Sequence, residues 1–298
     1  MESTSTIPAS HQPVRSISLP TRIHPSSQRV EALLNHLRLK PSQERSISSC
    51  LEAEKIQNDL VVIAELYNCM EELFQSPQTK QALVQYQQGK MVEEALCGSV
   101  TLLDACGAAR DLLLVLREHV QTLQFALRRR RGDSIIESSV SAYMSFRKKA
   151  KKEITKQLGA LKRMEIKVTS FSLMGQDQNL KFLGTVLKES STVTISVLRS
   201  VLVFLSMPGL KTKESSLISK LKPARLFSSE KEEKKANEVA LCSLIGKDRN
   251  SDAKVEVEGA QRVLETVNAS MGGVEGGLDC VYRCLVQNRV CFLNMLAH

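Results

Sequence analysis

The chain has 298 residues, of which 42% are hydrophobic and only 4% aromatic, with no Trp. That is enough apolar material to bury a substantial core, and its poverty in strand-favouring aromatics points to an all-α protein packed by Leu, Val and Ile. The formal net charge is +9. Residues 128–167 hold 13 Lys or Arg against 4 Asp or Glu, so this one segment carries the whole excess and the remainder is neutral.

Residues 1–27 are rich in Ser, Thr and Pro, with Glu2 as the single acid. Such a segment buries too little surface to offset its ordering entropy, which predicts a disordered tail; a Ser-rich transit peptide is the competing reading. Within it Arg15, Ser16, Ile17, Ser18, Leu19 and Pro20 spell R-S-x-S-x-P. A phosphate on Ser18 would add about −1.5 to −2 charge and three acceptor oxygens. Phosphoserine captured by an arginine cluster, as 14-3-3-type readers do, is the mode this spacing suggests. Residues 28–298 are expected to form a single helical domain.

Helical periodicity follows. Ile56, Leu60, Ile63, Tyr67, Met70 and Phe74 recur at steps of three and four, which puts them on one face of a helix. Ser76–Pro77 reads as an N-cap followed by Pro in the first turn. Leu103, Cys106, Ala109, Leu113, Leu116, Val120, Leu123 and Leu127 continue the pattern. They predict a helix between about Pro77 and Arg131, with Gly89 and Gly98 as possible breaks.

Gly132 is placed to end that helix, and Ser134 with Glu137 forms the S-x-x-E capping box of the next. Tyr143, Phe146, Ala150, Ile154, Leu158 and Leu161 supply the apolar face of this second helix. The two make an antiparallel hairpin with Arg128, Arg129, Arg130 and Arg131 at its tip and Arg147, Lys148, Lys149, Lys151 and Lys152 beyond. Basic residues in a last helical turn interact favourably with its free carbonyls, but four arginines exceed that need. The cluster therefore nominates an acidic partner: anionic lipid headgroups or a nuclear import receptor. Sequence-specific nucleic-acid recognition is disfavoured, because stacking aromatics are scarce and no zinc-finger or homeodomain pattern occurs.

A further helix is predicted over Asp177–Ser206. Its apolar run is interrupted by Arg199, which argues for a buried bundle helix rather than a membrane span. Pro-bearing, charge-dense sequence at about 207–238 reads as a mobile connection. The last segment is the most regular. Val257, Ala260, Leu264, Val267, Met271, Val274, Leu278, Val281, Leu285, Asn288, Phe292 and Met295 alternate steps of three and four, a coiled-coil-like heptad seam. Asn288 is its one polar position, of the kind that sets register. The pattern leaves open whether the seam closes within the chain or in a homo-oligomer. Gly272, Gly273, Gly276 and Gly277 lie inside it and each costs about 1 kcal/mol against Ala; a continuous or kinked helix is the expectation.

Eight cysteines at positions 50, 69, 97, 106, 242, 280, 284 and 291 contain no C-x-x-C pair. With no apolar leader, free thiols in a reducing interior are expected, in the cytoplasm with nuclear or membrane association as options, and not secretion. Cys280, Cys284 and Cys291 lack the close pairs and fourth ligand of structural zinc. No catalytic signature or phosphate-binding loop surrounds any histidine or glycine run, so no enzyme, cofactor or metal is expected.

The stretches "VRSISLPTRIHPSSQRVEALLNHL", "SPQTKQAL", "MVEEALCGSVTLLDACGAARDLLLVLREHVQTLQFALRRRRGD", "VSAYMSFRKKAKKEI" and "GLDCVYRCLVQNRVCFLNMLAH" occur in that order. Together they resemble a plant-specific family, domain of unknown function 241, related to the BYPASS proteins. Met91 stands where that family often has Trp, and Cys291 where it often has Ser. The resemblance implies an all-helical plant protein associated with root and shoot development, and implies no reaction. The functional expectation is a non-enzymatic interaction or regulatory protein that binds partners through helix faces and a phosphorylatable tail. The alternative is a peripheral membrane protein held on anionic lipid by the hairpin 128–167.

Overall fold

A computed structural model describes residues 25–38, 49–77, 79–81, 90–129, 133–170, 178–206 and 251–297. Six long helices account for nearly all of them: α1 (Pro25–Arg38), α2 (Ser49–Gln75), α3 (Lys90–Arg128), α4 (Asp133–Ser170), α5 (Gln178–Ser206) and α6 (Ser251–Ala297). No strand occurs among the described residues, and the fold is all-α.

The packing is a four-helix ring with two outer helices. In the ring α2 touches α6, α6 touches α3, α3 touches α5, and α5 touches α2. The diagonal pairs α2/α3 and α5/α6 make no direct approach. Contacts from Gln57 to Gly273 and from Phe74 to Phe292 show that α2 and α6 run parallel. Those from Arg110 to Asp279 and from Arg128 to Glu265 show that α3 runs against α6. Outside the ring, α4 lies on α3 and α5, while α1 lies on α2 and α5. Helix α5 thus has four neighbours, which explains why its buried residues, from Leu180 to Leu205, spread beyond a single stripe. By length and composition it is long and apolar enough to cross a membrane, and half of that stretch is buried within the protein. Arg199, which interrupts the run, pairs with Glu165 of α4 at 2.7 Å.

The predicted stripes form the core. Every member of the α2 stripe is buried, as are Cys106, Ala109, Leu113, Leu116, Val120, Leu123 and Leu127 of α3. Gly98 does not break α3; a Cβ there would lie 2.8 Å from the Met164 methyl of α4, so the glycine admits that side chain. Ser76 caps the turn that begins at Pro77, its Oγ accepting from the Thr79 N–H at 3.3 Å. On α4 the described helix begins at Asp133, ahead of the capping Ser134 inferred from sequence.

The tail boundary also shifts. Pro25, Ser26 and Ser27 belong to the first turn of α1, and the Ser26 hydroxyl donates to Glu72 of α2 at 2.9 Å. Pro25 is pre-organised for a helix start, and the link to α2 supplies the fixation that composition does not reveal. Residues 1–24 and the charged connection at about 207–238 lie outside the described residues.

Helix α6 is continuous through its four glycines. From Leu264 to Met295 its seam is buried against α2 and α3 of the same chain, except Val267, which is half-buried. Gly277 explains the close packing on α2, and Gly273 is overlaid by a movable side chain. A Cβ on Gly277 would stand 2.9 Å from Leu60 Cβ, and one on Gly273 would strike the Gln57 carboxamide. Gly272 and Gly276 have nothing within 4 Å of a Cβ position. The pairs therefore separate under substitution. Gly277→Ala should lower stability by about 1–3 kcal/mol through overpacking, whereas Gly276→Ala should raise it by up to about 1 kcal/mol through helix propensity. Urea melts of the two variants beside the parent check both signs.

Candidate functional site

Two arginines of the basic hairpin are tied to other helices, and its lysines lie exposed on the surface. Arg128, the first of the four arginines, pairs with Glu265 of α6 at 2.7 Å. It ends a row along the α3/α6 groove in which Arg110 pairs with Asp279 at 2.5 Å and Arg117 with Glu275. Arg110 also lies 4.7 Å over the Tyr282 ring. Arg147 caps α5: its guanidinium donates to the Leu205 carbonyl at 2.6 Å and the Ser206 carbonyl at 2.8 Å. Those are orphan acceptors at a helix C-terminus, where a cation is favoured. Arg129 is exposed just past α3, and Arg130 and Arg131 lie outside the described residues. Lys148, Lys149, Lys151 and Lys152 are all exposed on α4. Arg128 and Arg147 are thus tied to other helices, and the lysines of α4 lie at the surface. The R-S-x-S-x-P motif at Arg15, Ser16, Ser18 and Pro20 lies outside the described residues.

A second surface lies on α6, outside the residues singled out from sequence. Val286, Val290 and Leu293 follow at steps of four and three along α6, and are 38%, 44% and 41% exposed. Among the described helices α6 has only α2 and α3 as neighbours, so none of them covers its outward side. The sequence signal is partly visible in retrospect, since these residues form an apolar line beside the heptad seam.

Asn288 takes up a link inside the protein. It is buried, and its Nδ2 donates to the Tyr67 carbonyl of α2 at 2.7 Å and to the Cys284 carbonyl at 3.2 Å. Tyr67 in turn meets Thr194 of α5, their hydroxyl oxygens 3.1 Å apart. Thr194 donates to the Ser190 carbonyl at 2.7 Å, so Tyr67 is the donor of that pair. Burial pushes the Tyr67 phenol up to about 12. Burial likewise pushes the Cys106 thiol to about 12, and burial together with Cys280 raises Cys284 to about 11. These are groups held in their neutral forms, the opposite of an activated nucleophile.

Among the described residues no group of three or more His, Cys, Asp or Glu converges as metal ligands would. His119 stacks in an aromatic contact with Phe146, ring centres 5.0 Å apart.

A bundle of long helices, α2 and α6 parallel and α3 antiparallel to α6, with charged and apolar outer faces, defines an all-α helical-bundle protein. The family profile described as Protein BPS1 matches residues 59–295, spanning all four ring helices. The chain belongs to this BYPASS-related plant family, which places it among regulators of plant development. No curated relative and no solved structure matches it.

Two measurements test the geometry. Arg147→Ala should cost about 1–2 kcal/mol by freeing the last carbonyls of α5, while Lys149→Ala should stay within about 0.5 kcal/mol of the parent; thermal melts separate them. The second is pH. In the unfolded chain the thiols and phenol ionise from their ordinary values of 9.0 and 10.0, below their values in the fold. The unfolded state then binds fewer protons, so stability is complete below about pH 9 and falls as pH rises towards about 12. The urea midpoint should hold up to about pH 9 and drop between about pH 9 and pH 11.

Proposed function

We propose that this BPS1-family chain is a non-enzymatic interaction protein of root and shoot development that docks protein partners through a helix face. The observation that carries the reading is the line Val286, Val290 and Leu293, presented at helical spacing on the ring helix that carries no covering helix among those described. Apolar side chains at such steps suit an amphipathic helix laid alongside. The tail motif at Ser18 is proposed as a second, phosphorylation-dependent contact for a 14-3-3-type reader, its phosphate meeting the reader's arginines.

A second reading is favoured by the exposed lysines of α4. Lys148, Lys149, Lys151 and Lys152 stand in solvent within five positions, and each basic residue near an anionic membrane surface contributes about 1 kcal/mol. In that reading the protein rests on lipid through this helix.

Proximity labelling in plant tissue distinguishes them. The protein-docking reading expects Val290→Asp to lose most labelled partners with its melting temperature unchanged, and Ser18→Ala to lose a separate subset. The same partner set from Val290→Asp as from the parent would contradict it. Salt-sensitive sedimentation with phosphatidylserine vesicles, abolished when the four lysines become Gln, would support the membrane reading instead.

A further inference from the structure

Helix α3 has a long side that none of the described helices covers. Its neighbours among them are α4, α5 and α6. Away from these, Val100, Asp104, Asp111, Leu114, Glu118 and Phe125 follow at steps of three, four and seven, and all are exposed. Such steps keep them on one face, and at a rise of ~1.5 Å per residue the line is about 38 Å long.

The charge of this face is negative. Arg110 and Arg117 of the same helix turn instead to Asp279 and Glu275 of α6. An acidic line that also presents Leu114 at 49% and Phe125 at 59% exposure suits a basic, apolar segment. Burial of hydrocarbon then supplies affinity, and unlike charge supplies selectivity.

The chain itself carries such a segment. Residues 217–227 contain Lys220, Lys222 and Arg225 and no acid. Leu217, Ile218, Leu221, Leu226 and Phe227 are their apolar part. They belong to the connection between Ser206, the end of α5, and Ser251, the start of α6. Arg147 of α4 holds the Leu205 and Ser206 carbonyls, and its neighbour Phe146 stacks on His119 of α3 at 5.0 Å. The connection therefore leaves α5 level with Glu118, between Leu114 and Phe125 and one helix away from them. Residues 207–216 can extend about 33–36 Å, enough to pass the ~10–12 Å width of α4.

We propose that residues 217–227 dock on the acidic outer face of α3. Their cations meet Asp104, Asp111 and Glu118, and their apolar side chains cover Leu114 and Phe125. Exposed ion pairs are weak on their own. The short tether offsets this, because it sets an effective concentration on the order of mM. The inference is independent of the apolar line on α6 and of the lysines on α4, which belong to other helices.

Carbodiimide cross-linking of the purified full chain, which joins lysine amines directly to carboxylates, tests the docking. The expected product has monomeric mass and an isopeptide bond from Lys220 or Lys222 to Asp104, Asp111 or Glu118. A double variant, Leu114→Ser with Phe125→Ser, keeps every lysine and acid and alters only exposed side chains. It should cut the yield of those bonds several-fold with its helical content unchanged. Bonds that survive in the double variant at the parental yield would overturn the proposal, since passing encounters of tethered charges would then account for them. Bonds joining labelled to unlabelled chains in an isotopic mixture would overturn it too, by assigning the face to a second copy. Absence of any bond between these lysines and these acids would leave the face to another protein and contradict the docking.

Discussion

The close parallel approach of α2 and α6 is the constraint on which the rest of the architecture depends. Gly277 lets α6 settle over Leu60, where an added Cβ would stand 2.9 Å from the Leu60 Cβ, while one turn earlier the Gln57 side chain lies across Gly273. Asn288 then fixes the far end of the same contact through the Tyr67 carbonyl. With α6 seated in this way, its opposite flank meets α3 through the row from Arg110 to Arg128. The ring closes when α5 reaches both α2 and α3. Dispersion and burial supply the energy, but Gly277 and the amide select the geometry in which that burial is achieved.

This explains what could be read from residues alone. Steps of three and four from Ile56 to Phe74 and from Leu264 to Met295 report burial directly, because helix period and apolar spacing coincide. The glycine quartet was ambiguous, since a sequence cannot show that Gly273 and Gly277 face a neighbour while Gly272 and Gly276 face open space. Arg147 was equally opaque. Its carbonyl partners lie 58 and 59 positions away, and within its own segment it is one more cation in a basic run. The hydrogen bonds of Asn288 were invisible for a related reason: the polar seam position can be found by pattern, but its orientation depends on α2.

Functionally, the molecule separates internal from external use of its polar and apolar groups. Arginines that appear as a single positive patch divide between helix capping, ion pairing across a groove, and solvent. Tyrosine and cysteine groups in the core are kept neutral by burial, and His119 is occupied by aromatic packing. Among the groups left outside are an apolar line on α6 and a lysine run on α4, features suited to recognition. That division accords with a regulatory family, and it directs attention to surfaces rather than to a reactive centre.

The central claim, that α6 closes against α2 of its own chain, can be tested by one covalent link. Cys284 Sγ lies 3.4 Å from Asn68 Oδ1 across the α2/α6 contact, so an Asn68→Cys variant brings two thiols together there. Mild oxidation of dilute protein should give an intramolecular disulfide, with a monomeric mass and a single peptide joining positions 68 and 284. A disulfide-linked dimer joined at those positions, or no link between them at all, would contradict the account.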